Sequence, residues 1–144
     1  MVDGTTAEIK NQALYCVEDL LYGMMLPSGN DAAFLIAEIG GYLVQKKDDS
    51  RNVDEMSKAL ERRQGCFVNP YLREMNKIAK KIGLANTNFA SVHGMNNPQN
   101  ISCAEDLALL CTFAMKNQTF RKIVHTQKYQ YCCTIFQYPT EEEL

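Results

Sequence analysis

A mainly α domain, with five or six helices around a buried central helix and one C-terminal strand, is what this sequence predicts. Three observations lead there. Apolar residues recur at i, i+3, i+4 and i+7 in segment after segment. One segment, Asp31 to about Val44, is apolar on nearly every side. Only late in the chain, from Gln127 to Phe136, does a run rich in aromatic and β-branched residues replace the helical period. The 144 residues, 46% hydrophobic and 22% charged, suit a single core. Residues 1–136 read as that domain, and residues 137–144 as an acidic, loose tail.

The first helix spans Val17 to about Leu26. Val17, Leu20, Leu21 and Met24 share a face, Glu18 and Asp19 favour the positive end of the helix dipole, and Pro27 closes the ladder. After Ser28-Gly29-Asn30 the second helix runs from Asp31 to about Val44. An all-round apolar helix must be wrapped by others. Its Gly40-Gly41 pair costs of order 1 kcal/mol each in helix propensity, and so marks a place where another backbone comes close. Between Gln45 and Cys66 the composition turns to charge. This reads as a solvated insertion in preference to a partner-binding excursion, with Asn52 and Glu55 able to cap a short helix.

A third helix is expected with Asn69 as N-cap and Pro70 at its first position, a stripe of Tyr71, Met75, Ile78, Ala79 and Ile82, and Gly83 as its stop. The Asn-, Gly- and Pro-bearing stretch from Leu84 to Asn100 argues for irregular backbone. Ser102 and Glu105 form a capping box ahead of a helix that presents Leu107, Leu110, Cys111 and Ala114 on one face. A short helix from about Thr119 to Val124 precedes the strand.

Composition excludes several functions. A formal charge of −2 provides no basic field for nucleic acid. The longest apolar stretch, Ala32 to Val44, falls short of the about 20 residues that span a bilayer. The N-terminal MVDGTTAEIK has no apolar core of the signal-peptide kind. The six cysteines, Cys16, Cys66, Cys103, Cys111, Cys132 and Cys133, form no C-x-x-C pair and have no histidine at finger spacing, so neither a zinc site nor any other metal or cofactor is expected. An even count is compatible with disulfides. Without an export signal, and with Cys111 in an apolar stripe, free thiols in a reducing, intracellular compartment are the expectation.

Four stretches then carry a resemblance. They are LLYGMMLPSGNDAA (Leu20 to Ala33), NTNFASVHGM (Asn86 to Met95), SCAEDLALL (Ser102 to Leu110) and the run from Phe113 through Tyr129. Together they resemble the D-alanyl-D-alanine carboxypeptidases, penicillin-binding serine peptidases of the S11 type, over roughly residues 5–130 with an insertion around 45–66. The resemblance implies the helical subdomain of the DD-peptidase and β-lactamase-like fold. It also implies an acyl-enzyme chemistry in which S-x-x-K, S-x-N and K-T-G meet in one cleft. Ser28-Gly29-Asn30 matches S-x-N. By that resemblance the Ser28 hydroxyl would join a proton relay with two lysines, and the Asn30 carboxamide would hold a substrate peptide carbonyl.

The other two motifs are missing. No serine, whether Ser28, Ser50, Ser57, Ser91 or Ser102, is followed three positions later by lysine, and K-T-G does not occur. Thr119 with Lys122 lies where the family has a structural helix. His93, in the HGM segment, and His125, at a helix end, read as structural residues and not as bases. Without an activated nucleophile no acyl-enzyme forms. The expectation is therefore a non-catalytic remnant with Ser28 and Asn30 as remnant site residues, serving as a structural or partner-binding subunit of a larger assembly. The alternative is one piece of a split or truncated carboxypeptidase that another chain completes. Peptide binding at the remnant pocket is expected to be poor, because half of the cleft walls are absent.

Overall fold

The computed structural model describes residues 3–11, 13–48, 67–130 and 134–135. The expected helix at Asn52–Glu55, most of the charged insertion, Cys66, Cys132, Cys133 and the acidic tail lie outside them. The described elements are β1 (Ala13–Leu14), α1 (Val17–Met25), α2 (Asn30–Asp48), α3 (Val68–Lys81), α4 (Ala104–Ala114), α5 (Gln118–His125) and β2 (Thr134–Ile135). The fold is thus mainly helical, as its apolar periodicity predicts.

Helix α2 organises the rest. It packs against α3 along one side and α1 along another, while α5 rests on α1. Ala32, Ala33 and Ala37 form its buried seam, small enough to let neighbouring backbones approach. The glycine pair does what its cost in propensity implies. A Cβ on Gly41 would collide with the backbone carbonyl of Phe67, and one on Gly40 with the ring of Tyr71. The helix is not wrapped on every side, however, since Leu43 stays 53% exposed.

Helix α3 begins earlier than its local sequence suggests. Its N-cap is Phe67 and not Asn69, and Pro70 is its third residue. Proline is tolerated there because the first four N–H groups of a helix have no intrahelical acceptor. A tertiary contact sets the start: the buried Glu38 of α2 accepts a hydrogen bond from the Phe67 N–H at 3.3 Å. The other end follows the sequence. Gly83 adopts φ +92°, its N–H donates to the Lys80 carbonyl, and the Leu84 N–H reaches back to Ala79. This is a Schellman closure, with Leu84 and Ala79 both buried.

The irregular segment after α3 is held by side-chain amides. Asn76 donates to the Phe89 carbonyl at 2.7 Å and accepts from the Phe89 N–H at 2.8 Å. Asn100 accepts from the N–H groups of Ala90 and Ser91, and a single antiparallel bridge joins Asn88 to Ile101. The expected capping box of α4 does not form, and the helix start moves by one residue. Cys103 is the N-cap, whereas Ser102 pairs its hydroxyl with that of Thr87 at 2.9 Å. Asp106, in the first turn, accepts from the Asn86 N–H and the Thr87 hydroxyl, so this acidic position ties the loop to α4.

Two apolar stripes are less buried than their periodicity predicts. Val17 is 63% exposed, and α1 instead buries Leu20, Tyr22 and Gly23. On α4, Leu107 and Phe113 are each 48% exposed and Cys111 is exposed as well.

The strand expected over Gln127–Phe136 is also shorter. Among the described residues it is confined to Thr134–Ile135, which pair antiparallel with Ala13–Leu14, a strand the sequence pattern did not reveal. Tyr129 packs on helix α1 instead of joining a ladder. Its ring stacks on Tyr22 at 3.7 Å, and its hydroxyl donates to Asp19 at 2.5 Å. That bond, together with burial, pushes the Tyr129 hydroxyl above its ordinary titration range.

Because the Gly41 site faces backbone, which cannot rotate away as a side chain can, Gly41→Ala is expected to destabilise the domain by about 3 kcal/mol or more. Urea unfolding followed by circular dichroism measures this. An exposed control, Gly94→Ala, has no atom within 4 Å of the added methyl and should unfold at nearly the wild-type midpoint.

Candidate functional site: the corner between α1 and α2

The corner begins where Pro27 ends α1 and Asn30 starts α2. Between them the backbone makes a tight left-handed step, with Ser28 at φ +57°. Gly29 is demanded by close approach on two sides. A Cβ there would sit 2.6 Å from the Gly23 carbonyl oxygen of α1 and 2.8 Å from the Ala7 nitrogen. Ser28 is exposed while Gly29 and Asn30 are buried. The two predicted site residues are therefore adjacent but differently disposed.

The Ser28 side chain is accessible, and its carbonyl accepts a hydrogen bond from the Thr5 hydroxyl. Among the described residues, no lysine or histidine hydrogen-bonds the Ser28 hydroxyl. Asn30 is 5% exposed. Its backbone N–H donates to the Thr5 carbonyl at 2.8 Å and its carboxamide Nδ2 donates to the Asp3 carbonyl at 3.0 Å. The amide expected to face a ligand thus faces the chain's own N-terminal segment.

Asp31 is the residue that the sequence reading left out of the site, and it holds the corner together. One carboxylate oxygen accepts from the N–H groups of Ala7 at 2.8 Å and Ala32 at 2.9 Å. The other accepts from the Thr6 hydroxyl at 2.7 Å and the Ile9 N–H at 2.9 Å. Burial works against its charge, yet the N–H groups of Ala7, Ile9 and Ala32 and the Thr6 hydroxyl outweigh it and hold the carboxyl below the usual carboxylate range. An acidic residue in the first turn of a helix was the available signal. What it grips, more than twenty residues upstream, was not legible.

His93 lies in the segment expected to be structural. Its Nδ1 is buried with no hydrogen-bond partner, and its carbonyl accepts from the Ser91 hydroxyl at 3.0 Å. Two residues on, the Met95 side chain would lie 3.7 Å from a Cβ on Gly4, which brings the HGM loop beside the same N-terminal segment. Among the described residues no group of three or more His, Cys, Asp or Glu could hold a metal ion, and no helix is long and apolar enough to cross a membrane.

Proteins of known structure share this helical body. The crystal structure of a Streptomyces DD-transpeptidase superposes with a TM-score of 0.72 at 32% identity, covering 92% of this chain and 44% of that one. An evolved penicillin-binding protein homologue from Mycobacterium tuberculosis gives a TM-score of 0.55 at 27% identity, over 78% of this chain and 34% of that one.

In sequence, a D-alanyl-D-alanine carboxypeptidase from Streptomyces is 38% identical over 113 residues, 78% of this chain and 33% of its own length. The carboxypeptidase DacC of Escherichia coli is 30% identical over 112 residues, 78% of this chain and 22% of its own length. The family model for D-alanyl-D-alanine carboxypeptidases, peptidase S11, matches residues 55–143. This chain belongs to that family, and it spans a third or less of the length of these two curated relatives.

Replacing Asp31 by Ala should cost about 2–3 kcal/mol, the range for removing a charged acceptor from several hydrogen bonds. The Asp31 contribution is also pH-dependent. Its folded pKa lies below the unfolded value of about 3.9, so the stabilisation is fully present above that value and disappears as pH falls through the folded one. The stability gap between wild type and Asp31→Asn, measured by urea titration, should accordingly be widest near neutral pH and narrow steadily in acid.

Proposed function

We propose that these 144 residues act as the S-x-N-bearing helical part of a D-Ala-D-Ala carboxypeptidase-type fold, without acylating a serine themselves, as a structural or partner-binding subunit of a larger assembly. The observation that carries this is the state of the corner. Ser28 has no basic partner among the described residues, and the Asn30 carboxamide is engaged by the Asp3 carbonyl. Acyl transfer requires a nucleophile activated by an adjacent base, and the sequence holds neither S-x-x-K nor K-T-G.

The apolar surface supports the partner-binding role. Leu109 and Phe113, one turn apart on α4, are exposed together with Leu107, and Ile78 on α3 and Ile101 before α4 are exposed too. Exposed large apolar side chains on this scale favour a covering surface. The solved transpeptidase chain is more than twice as long as the part matched here, so its fold includes polypeptide beyond this helical body.

The second reading, a split carboxypeptidase whose nucleophile and K-T-G strand come from another chain, draws on the accessible Ser28 side chain at the corner. A reducing intracellular location fits three described cysteines with free thiols.

Fluorescent penicillin separates the two readings. The purified chain should take up no covalent label, and Ser28→Ala should leave that result unchanged. Labelling of Ser28 in the isolated chain would overturn the non-catalytic assignment. A label on a chain co-purified with the native protein, lost on Asn30→Ala, would favour the split enzyme.

A further inference from the structure

The segment Asp3–Ile9 lies across the corner in a regular alternation. The carbonyls of Asp3 and Thr5 accept from Asn30, the first from its carboxamide and the second from its backbone N–H. The N–H groups of Ala7 and Ile9 donate to the carboxylate of Asp31. Four groups of the corner thus meet backbone groups at every second residue of an irregularly extended segment, the spacing at which an extended chain presents one edge. The fit is close. A Cβ on Gly4 would lie 2.5 Å from the Asn30 Nδ2, so no side chain fits between the segment and that amide. Gly4 itself adopts φ +90° and Glu8 φ +57°, which bend the segment around the corner.

We infer that residues 3–9 form an intramolecular strap that occupies the peptide-reading face of the Ser28–Asp31 corner and must be released before Asn30 can hold the carbonyl of another peptide. The inference rests on the reading of Asn30 as the S-x-N amide. The competitor it excludes is an extended peptide that offers a backbone carbonyl to the same Nδ2. Asp31 and the hydroxyls of Thr5 and Thr6 serve as the latch. Thr5 donates to the Ser28 carbonyl and Thr6 to Asp31, and neither touches the Asn30 carboxamide. A site whose competent state is rarely populated binds more weakly in proportion to that population, so loosening the latch should raise affinity without any new contact.

The test uses the full chain with an acetylated D-Ala-D-Ala peptide as probe. Affinity is followed by calorimetry, and amide exchange at Ala7 and Ile9 by NMR. Asp31→Ala is expected to speed exchange at both amides and to tighten peptide binding at least tenfold, and Asn30→Ala added to it should abolish the gain. Thr5→Val with Thr6→Val leaves Asn30 and Asp31 in place, so it tests the same point with a smaller gain of about threefold if Asp31→Ala fails to fold. Equal affinity in wild type and released variants, despite fast exchange at Ala7 and Ile9, would overturn the strap and leave the Asn30 reading standing. Absence of binding by every form, with the strap released, would overturn both. A gain that survives Asn30→Ala would place the peptide elsewhere and overturn the strap.

Discussion

The closeness with which other backbones approach α2 is the constraint on which the rest of the structure depends. At one end Gly29 admits the Ala7 nitrogen and the Gly23 carbonyl, and further along Gly41 admits the carbonyl of Phe67. Between them Ala32, Ala33 and Ala37 keep the seam narrow. Glycine costs helix propensity, and alanine, though a good helix former, supplies little apolar area. In return, α1 and α3 come near enough for their own side chains to be buried. The start of α3, and through it the Asn76-bound loop, follows from where Phe67 meets Gly41 and Glu38.

The corner uses the same geometry for a different end. Pro27 and Gly29 make a turn tight enough to put Ser28, Asn30 and Asp31 side by side at the start of α2. Asp31 then ties down a segment more than twenty residues away in the chain. One short stretch therefore does two things. Its serine and asparagine carry the family resemblance, and its aspartate folds the N-terminal segment onto them. The arrangement explains why Asn30 is buried although the motif leads one to expect a projecting amide.

Membership of the S11 family does not by itself transfer the family's chemistry. The motif that matches, Ser28-Gly29-Asn30, is here held by the segment that begins at Asp3. Neither S-x-x-K nor K-T-G occurs in these 144 residues. Leu107, Leu109 and Phe113 of α4 remain exposed on this helical body.

Local chemistry in the sequence determined the helices of the described region, the stop at Gly83 and the turn at Ser28-Gly29-Asn30. Each depends on backbone freedom, capping or a 3.6-residue period, which neighbouring residues set among themselves. Tertiary structure alone decided the rest. It moved the start of α3 from Asn69 to Phe67, because a buried glutamate on another helix binds the Phe67 N–H. It turned Tyr129 onto Tyr22 in place of a long strand. It also joined residues 3–9 to Asp31, a pairing between distant segments that no local pattern records and that a carboxylate makes wherever folding brings unpaired N–H groups within reach.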